Sequence, residues 1–273
     1  MNILFQRCHM LLLAPLLLAA APPQSIPPTP AGPSWTDLAD LTLSSPVILR
    51  ATVTDVTRLG RKQAPDVPQD QVRALLQADV QAVIAAPAVL PARIEWLWQA
   101  APDPRGRPAI ARNSSVLIFA APVPGRAEQL RLVAPNAQLP WTPESDAAIR
   151  AVLAEARDPA VAGLRVTGIS DAFHAAGTVN GESESQFFIT TGAAPLTLVL
   201  LRRAGAQPAL RVATGELVDD SAAPVRPRTL LWRALACGLP TSLPARLASE
   251  PALVADWSAI RDSLGPCGRT SVR

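Results

Sequence analysis

Alternation of apolar and polar positions organises the chain between residues 47 and 134. Val47, Leu49, Ala51 and Val53 keep one parity and Val56 resumes on the other, which predicts a β-bulge near Thr54-Asp55. A second run places Ala74, Leu76, Ala78, Val80, Ala82 and Ile84 on one face. Ile94, Trp96 and Trp98 then alternate with Arg93, Glu95 and Gln99, the signature of a half-buried strand. Val116-Leu117-Ile118-Phe119 is a continuous apolar run that fits a central strand, and Leu130, Leu132 and Ala134 finish the set. Five strands separated by Pro- and Gly-containing connections suit a small closed barrel or a sandwich.

Helical spacing takes over at both ends of this region. Trp35 to Leu41 predicts one short helical turn. Thr142-Pro143-Glu144 opens a helix with a capping Thr, a first-turn Pro and early acids, and its apolar stripe is Ile149, Val152, Leu153 and Ala156. Four strands follow over Leu164 to Phe173, Ser185 to Thr191, Leu196 to Arg202 and Leu210 to Leu217. Tight turns at Asn180-Gly181, Gly192 and Gly205 join them into an antiparallel meander. Asp219-Asp220 begins a further turn. Thr229 caps a helix carrying Leu230, Leu231, Trp232 and Leu235 that Gly238 ends. A second helix starts at Ser249, carries Leu253, Trp257, Ile260 and Leu264, and stops at Gly265-Pro266. The fold class is α+β, with a β domain over residues 35–141 and an α+β domain over residues 142–273.

The N-terminal segment changes where this fold is expected to reside. Arg7, the apolar run Leu11 to Leu18 and the small residues Ala19-Ala20-Ala21 read as a secretory signal over residues 1–20, cleaved near Ala20. The run falls short of the ~20 residues that span a bilayer, so no transmembrane segment is expected in the mature chain. Residues 21–34 form a Pro-rich leader with six prolines. The expected location is the periplasm or the extracellular space. Removing the signal takes Cys8 and leaves Cys237 and Cys267. An oxidising compartment then predicts one disulfide stapling the C-terminal helical pair. A redox-active or metal-binding thiol pair is the competing reading, but the spacing is not C-x-x-C and no His lies nearby.

Composition narrows the chemistry. The 273-residue chain carries 25 Lys+Arg against 22 Asp+Glu, and this near balance leaves no electrostatic footprint for nucleic acid. It has no Tyr and two His, of which the mature chain keeps only His174. No P-loop, dinucleotide fingerprint or H-E-x-x-H occurs, so no cofactor and no metal are expected.

The segments from Pro46 to Val56, Ala78 to Ile84, Leu90 to Trp96 and Val116 to Ala120 resemble the strand series of exported netrin- and TIMP-like OB barrels. That resemblance implies a five-stranded OB-like barrel at the N-terminus. The inhibitory members use an N-terminal Cys, which the mature first half here lacks. Phe173-His174, Gly181 to Gln186 and Gly265 to Arg269 are similar to segments of uncharacterised exported bacterial proteins. Ser185 to Ile189 is similar to a strand of cyclophilin-type prolyl isomerases, but Ala175 stands where that family has Arg after Phe-His.

The candidate catalytic residues are His174 with Glu182 and Glu184, joined across a hairpin with Asp171 behind. Two glutamates two apart on a strand share a face roughly 6–7 Å apart, a spacing that permits acid–base work. Gly181 to Ser185 does not match G-x-S-x-G. The bland alternative is a hydrated hairpin tip with Phe173, Phe187 and Phe188 in the core. Trp96 and Trp98 share a strand face and are candidate binding residues. These residues favour a non-enzymatic binding or envelope-associated module whose partner is an envelope protein or a small ligand. The alternative is a hydrolase or isomerase centred on His174 and Glu182/Glu184.

Overall fold

The computed structural model describes residues 32–214 and 222–270. The expected export signal, most of the leader, the end of the strand expected to reach Leu217, and Asp219-Asp220 lie outside the described residues.

Helix α1 (Trp35–Ser44) runs for 10 residues, longer than the single turn its stripe predicts. Its start is a capping box: Ser34 Oγ accepts from the Asp37 N–H at 3.1 Å, and the Asp37 carboxylate accepts from the Ser34 N–H at 3.3 Å. Five strands follow: β1 (Val47–Arg58), β2 (Val72–Ala85), β3 (Arg93–Ala100), β4 (Ser115–Val123) and β5 (Arg126–Leu132). They are ordered β1-β2-β3-β5-β4, and β4 closes the ring onto β1 from Val47↔Ala120 to Thr52↔Ser115. Every pairing is antiparallel except β3–β5. The result is a closed, OB-like mixed barrel. The register of β1 shifts between Val53 and Asp55, where the parity change predicts a bulge. A short strand β6 (Gln138–Pro140), with no signal in the hydrophobic pattern, adds to β4.

The barrel interior is filled by Leu49, Ala51, Val53, Leu76, Ile94, Trp96, Ile118 and Leu130, among others. Ile48, Leu117 and Phe119 point the other way, yet they too are fully buried. They pack against Leu38 and Leu41 of α1 and Ile149 of α2 (Pro143–Glu155). Burial on both faces is why residues 116–119 read as an unbroken apolar run.

After the one-turn helix α3 (Pro159–Ala162) comes the antiparallel sheet β7 (Val166–Ala176), β8 (Ser183–Thr191), β9 (Leu196–Arg202), β10 (Ala209–Thr214) and β11 (Ala223–Pro224). Gly181 turns the β7–β8 hairpin at φ 84°, a conformation that favours glycine. Phe187, Leu198 and Leu200 on the inner face pack against Leu235 of α4 (Leu230–Gly238) and Trp257 and Ile260 of α5 (Pro251–Leu264). Helix α5 begins at Pro251, not Ser249, because Pro occupies the first turn and Glu250 becomes the N-cap without a side-chain capping bond. The Cys237–Cys267 disulfide joins the end of α4 to the segment beyond α5.

That C-terminal segment is clamped to α1. Thr36 Oγ1 donates to the Cys267 carbonyl at 2.6 Å, the Thr270 N–H donates to Asp37, and Arg269 Nε donates to Asp40 at 2.8 Å. Arg233 of α4 donates to the same Asp40 carboxylate at 2.7 Å. Burial alone would raise the Asp40 carboxyl, but the hydrogen bonds and charges of Arg269 and Arg233 outweigh it and hold the group below its ordinary 3.8. A depressed folded-state value stabilises fully above 3.8 and is lost as pH falls through it. Asp40→Asn is therefore expected to lower the denaturation midpoint at neutral pH and to flatten the acid loss of stability below about pH 4. Urea midpoints at several pH values check this, and parallel pH profiles for variant and wild type would contradict it.

Candidate functional site

A bulge decides the chemistry of the second sheet. Ile169 of β7 faces the core at 8% exposure, so simple alternation would carry Phe173 inward with it. The register instead shifts between Ile169 and Asp171. A one-residue slip exchanges the faces of everything beyond it. Ala172 and His174 therefore turn toward the helices, while Phe173 is 45% exposed and contacts Phe188 on the outer face. Phe187 is the only one of the three expected core phenylalanines that is fully buried.

His174 stands opposite Ser185 in the ladder, and its Nδ1 lies 2.8 Å from Ser185 Oγ. Ser185 is fully buried and donates to Asp256 Oδ2 of α5 at 2.5 Å. The other carboxylate oxygen, Oδ1, receives Arg202 Nε at 2.6 Å. A hydroxyl has one proton, and here it goes to the carboxylate, so the His174 ring donates to Ser185 from Nδ1. Its Nε2 is the ring nitrogen left over. Asp256 Oδ2 is 3.4 Å from His174 Nδ1, so a carboxylate does lie close to the histidine.

The order of groups is His–Ser–Asp, not Ser–His–Asp. A nucleophilic serine needs the imidazole between itself and the acid, with its Oγ open to a substrate. Ser185 sits in the middle with no exposure, so the arrangement ties α5 to the sheet and supplies no nucleophile. Glu184 pairs with Ala175 and points to the opposite face, where it accepts from Gln186 Nε2 at 2.6 Å. Glu182 lies 3.9 Å from Arg203. Asp171 is 3.7 Å from Arg246 with 71% of its side chain exposed. None of these three acids joins His174. Among the described residues no group of three or more His, Cys, Asp or Glu is placed to hold a metal ion.

Asp256 and Arg202 carry this network and were invisible as candidates, although one signal existed. The stripe Leu253, Trp257, Ile260 and Leu264 puts residue 256 on the same helical face, and an Asp at a core position needs a buried partner.

The larger concavity lies on the barrel. A groove of about 1070 Å³ opens along β2, β3 and β5 and the loops beside them, with Leu75, Leu97, Trp98, Gln99, Gln129 and Arg131 on its walls. Trp98 borders it half-buried, while Trp96 is 2% exposed and spends its indole N–H on Gln138 Oε1 at 2.7 Å. Both candidate tryptophans share the barrel-facing side of β3 and both line the groove; Trp96 is barrel core, and Trp98 packs on that core while staying partly exposed. The polar wall is internally bonded. Arg73 binds Asp66 at 2.8 Å and Gln99 at 2.7 Å, Gln99 donates to Gln71 at 2.5 Å, and Gln129 donates to Glu95 at 2.8 Å. A preformed concavity of mixed polarity is the usual form of a ligand site. In OB barrels the face of the second and third strands, with the loops beside it, is the common place for one.

A second cavity of about 720 Å³ lies between α1, α4 and the start of β7, next to the Asp40 clamp. No helix among the described residues is long and apolar enough to cross a membrane. No protein-family model and no curated protein matches the chain.

Proposed function

We propose that this is an exported, non-enzymatic binding module whose ligand occupies the barrel groove. The observation that carries the reading is the groove itself, preformed on the β2–β3 face with Leu97 53% exposed and Trp98 half-buried beside it. Export rests on the basic, apolar and small-residue succession of residues 1–20. A disulfide between the two cysteines that remain fits an oxidising compartment. The hydrolase or isomerase reading has less support, since Ser185 is buried between His174 and Asp256, and Glu182 and Glu184 point elsewhere.

Native mass spectrometry of the chain recovered from its own exported fraction tests the proposal. The expected result is a retained additional mass on the wild-type chain that is absent from Leu97→Asp, a change at an exposed position that leaves the core intact. A bare wild-type chain, or the same added mass on both proteins, would overturn it.

A further inference from the structure

Resting on that reading, the hydrogen bonding of the groove points to the class of ligand. β3 is laddered to β2 over its whole length, from Asp79↔Arg93 to Val72↔Ala100. To β5 it pairs only at Glu95↔Gln129 and Trp96↔Leu130. Beyond Trp96 the two parallel strands part, and the groove opens between them. Alternate residues of a strand send their N–H and C=O to opposite neighbours. Of the residues from Leu97 to Ala100, Leu97 and Gln99 direct their groups away from β2; the Leu97 N–H completes the Trp96↔Leu130 bridge, and the Leu97 C=O and the Gln99 N–H and C=O lie beyond the β5 ladder. An open strand edge on a convex surface invites aggregation. This one borders the groove.

The side chains add two further offers. Leu97 is exposed on the outer face of β3, and Trp98, on the barrel-facing side and only partly buried, borders the groove from the other side. Arg131, on the β5 wall, is exposed and makes no side-chain hydrogen bond or ion pair among the described residues. The remaining polar groups are occupied by one another: Arg73 by Asp66 and Gln99, and Glu95 by Gln129. A glycan would find the amide row already bonded, and a single-stranded nucleic acid needs a run of cations and several stacking rings.

We propose that the groove binds an extended polypeptide segment, added as a short strand to the Leu97–Gln99 edge of β3. Apolar side chains of the segment lie against Leu97 and Trp98, and a carboxylate faces Arg131. Main-chain hydrogen bonds supply the affinity in this mode, and alternate side chains supply the selectivity.

The test uses the disulfide-bonded chain in two screens, one with a phage-displayed random decapeptide library and one with neutral chito-, cello- and malto-oligosaccharides. The expected result is selection of acidic-apolar peptides that bind Leu97→Lys and Arg131→Glu at least tenfold more weakly. N-methylation of alternate backbone amides in the best peptide is expected to cost at least tenfold in one register and little in the other. Equal tolerance of N-methylation in both registers, or binding indifferent to Leu97 and Arg131, would overturn strand addition. Oligosaccharide binding that moves the Trp98 indole resonance, without peptide binding, would overturn the peptide class and leave the groove as the site. If neither screen gives a Leu97-dependent binder and the native chain carries no retained mass, both readings fall together.

Discussion

Asp256→Leu is expected to destabilise the chain by about 3 kcal/mol, the range for removing one partner of a buried ion pair. The Asp256 side chain is 3% exposed and takes three contacts at once, from Ser185, Arg202 and His174. Removing it takes the acceptor from the buried Ser185 hydroxyl, which keeps only the His174 ring, and leaves the Arg202 guanidinium without its carboxylate. Arg202 is 34% exposed and can rehydrate in part, which keeps the cost at the lower end of that range. The charge balance can be separated from the packing. Asp256→Leu combined with Arg202→Met and Ser185→Ala is expected to recover most of the loss, because the partly exposed His174 ring is then the one group of the network left without its partner. His174→Ala, which removes one hydrogen bond from a partly exposed ring, is expected to cost about 1 kcal/mol. Denaturant midpoints at unchanged slope measure all three. A single Asp256→Leu variant as stable as wild type would show that the network does not hold α5 to the sheet.

Loss of the disulfide is expected to be the other large effect. Cys237 and Cys267 are separated by 30 residues. Closing a loop of that size restricts the unfolded chain by about 3–4 kcal/mol in the entropic account. The double variant Cys237→Ser/Cys267→Ser should lose that amount, and reduction of the wild-type chain should match it. The consequence reaches beyond the two sulfurs, because the segment after α5 is also what holds α1. Hydrogen exchange should rise first at the Thr270 amide, which donates to Asp37, and then along α1. A double variant within 1 kcal/mol of wild type, with Thr270 still protected, would assign the clamp to Asp37 and Asp40 alone; the 1 kcal/mol margin is about the size of one net hydrogen bond.

The hydrophobic pattern located the barrel strands because each buries one face, and a period of two is the direct trace of that burial. It located the bulge in β1 for the same reason, since a parity change is visible wherever both flanks are apolar. The bulge in β7 left no such trace. Ser170 and Asp171 separate Ile169 from Ala172, and small or polar residues carry no parity. Phe173 was therefore expected in the core and is instead exposed, and His174 turned out to face Asp256, 82 positions along the chain, not the neighbouring glutamates. β6 escaped notice because three residues are too few to show a period.

Residue order alone determined the pair of cysteines, the capped helices and the succession of strands, and it is the basis on which an export signal is proposed. Each of these depends on neighbours within a turn or two, where spacing and side-chain type carry the information. Tertiary structure decided the rest. Closure of β4 onto β1 chose a barrel over a sandwich, divergence of β3 from β5 opened the groove, and packing of α5 on the sheet brought Asp256 to Ser185 and Arg202. These are contacts between residues far apart in the chain, and their partners are fixed by register and by the shape of the packed layers. Neither quantity is written in any local stretch of residues.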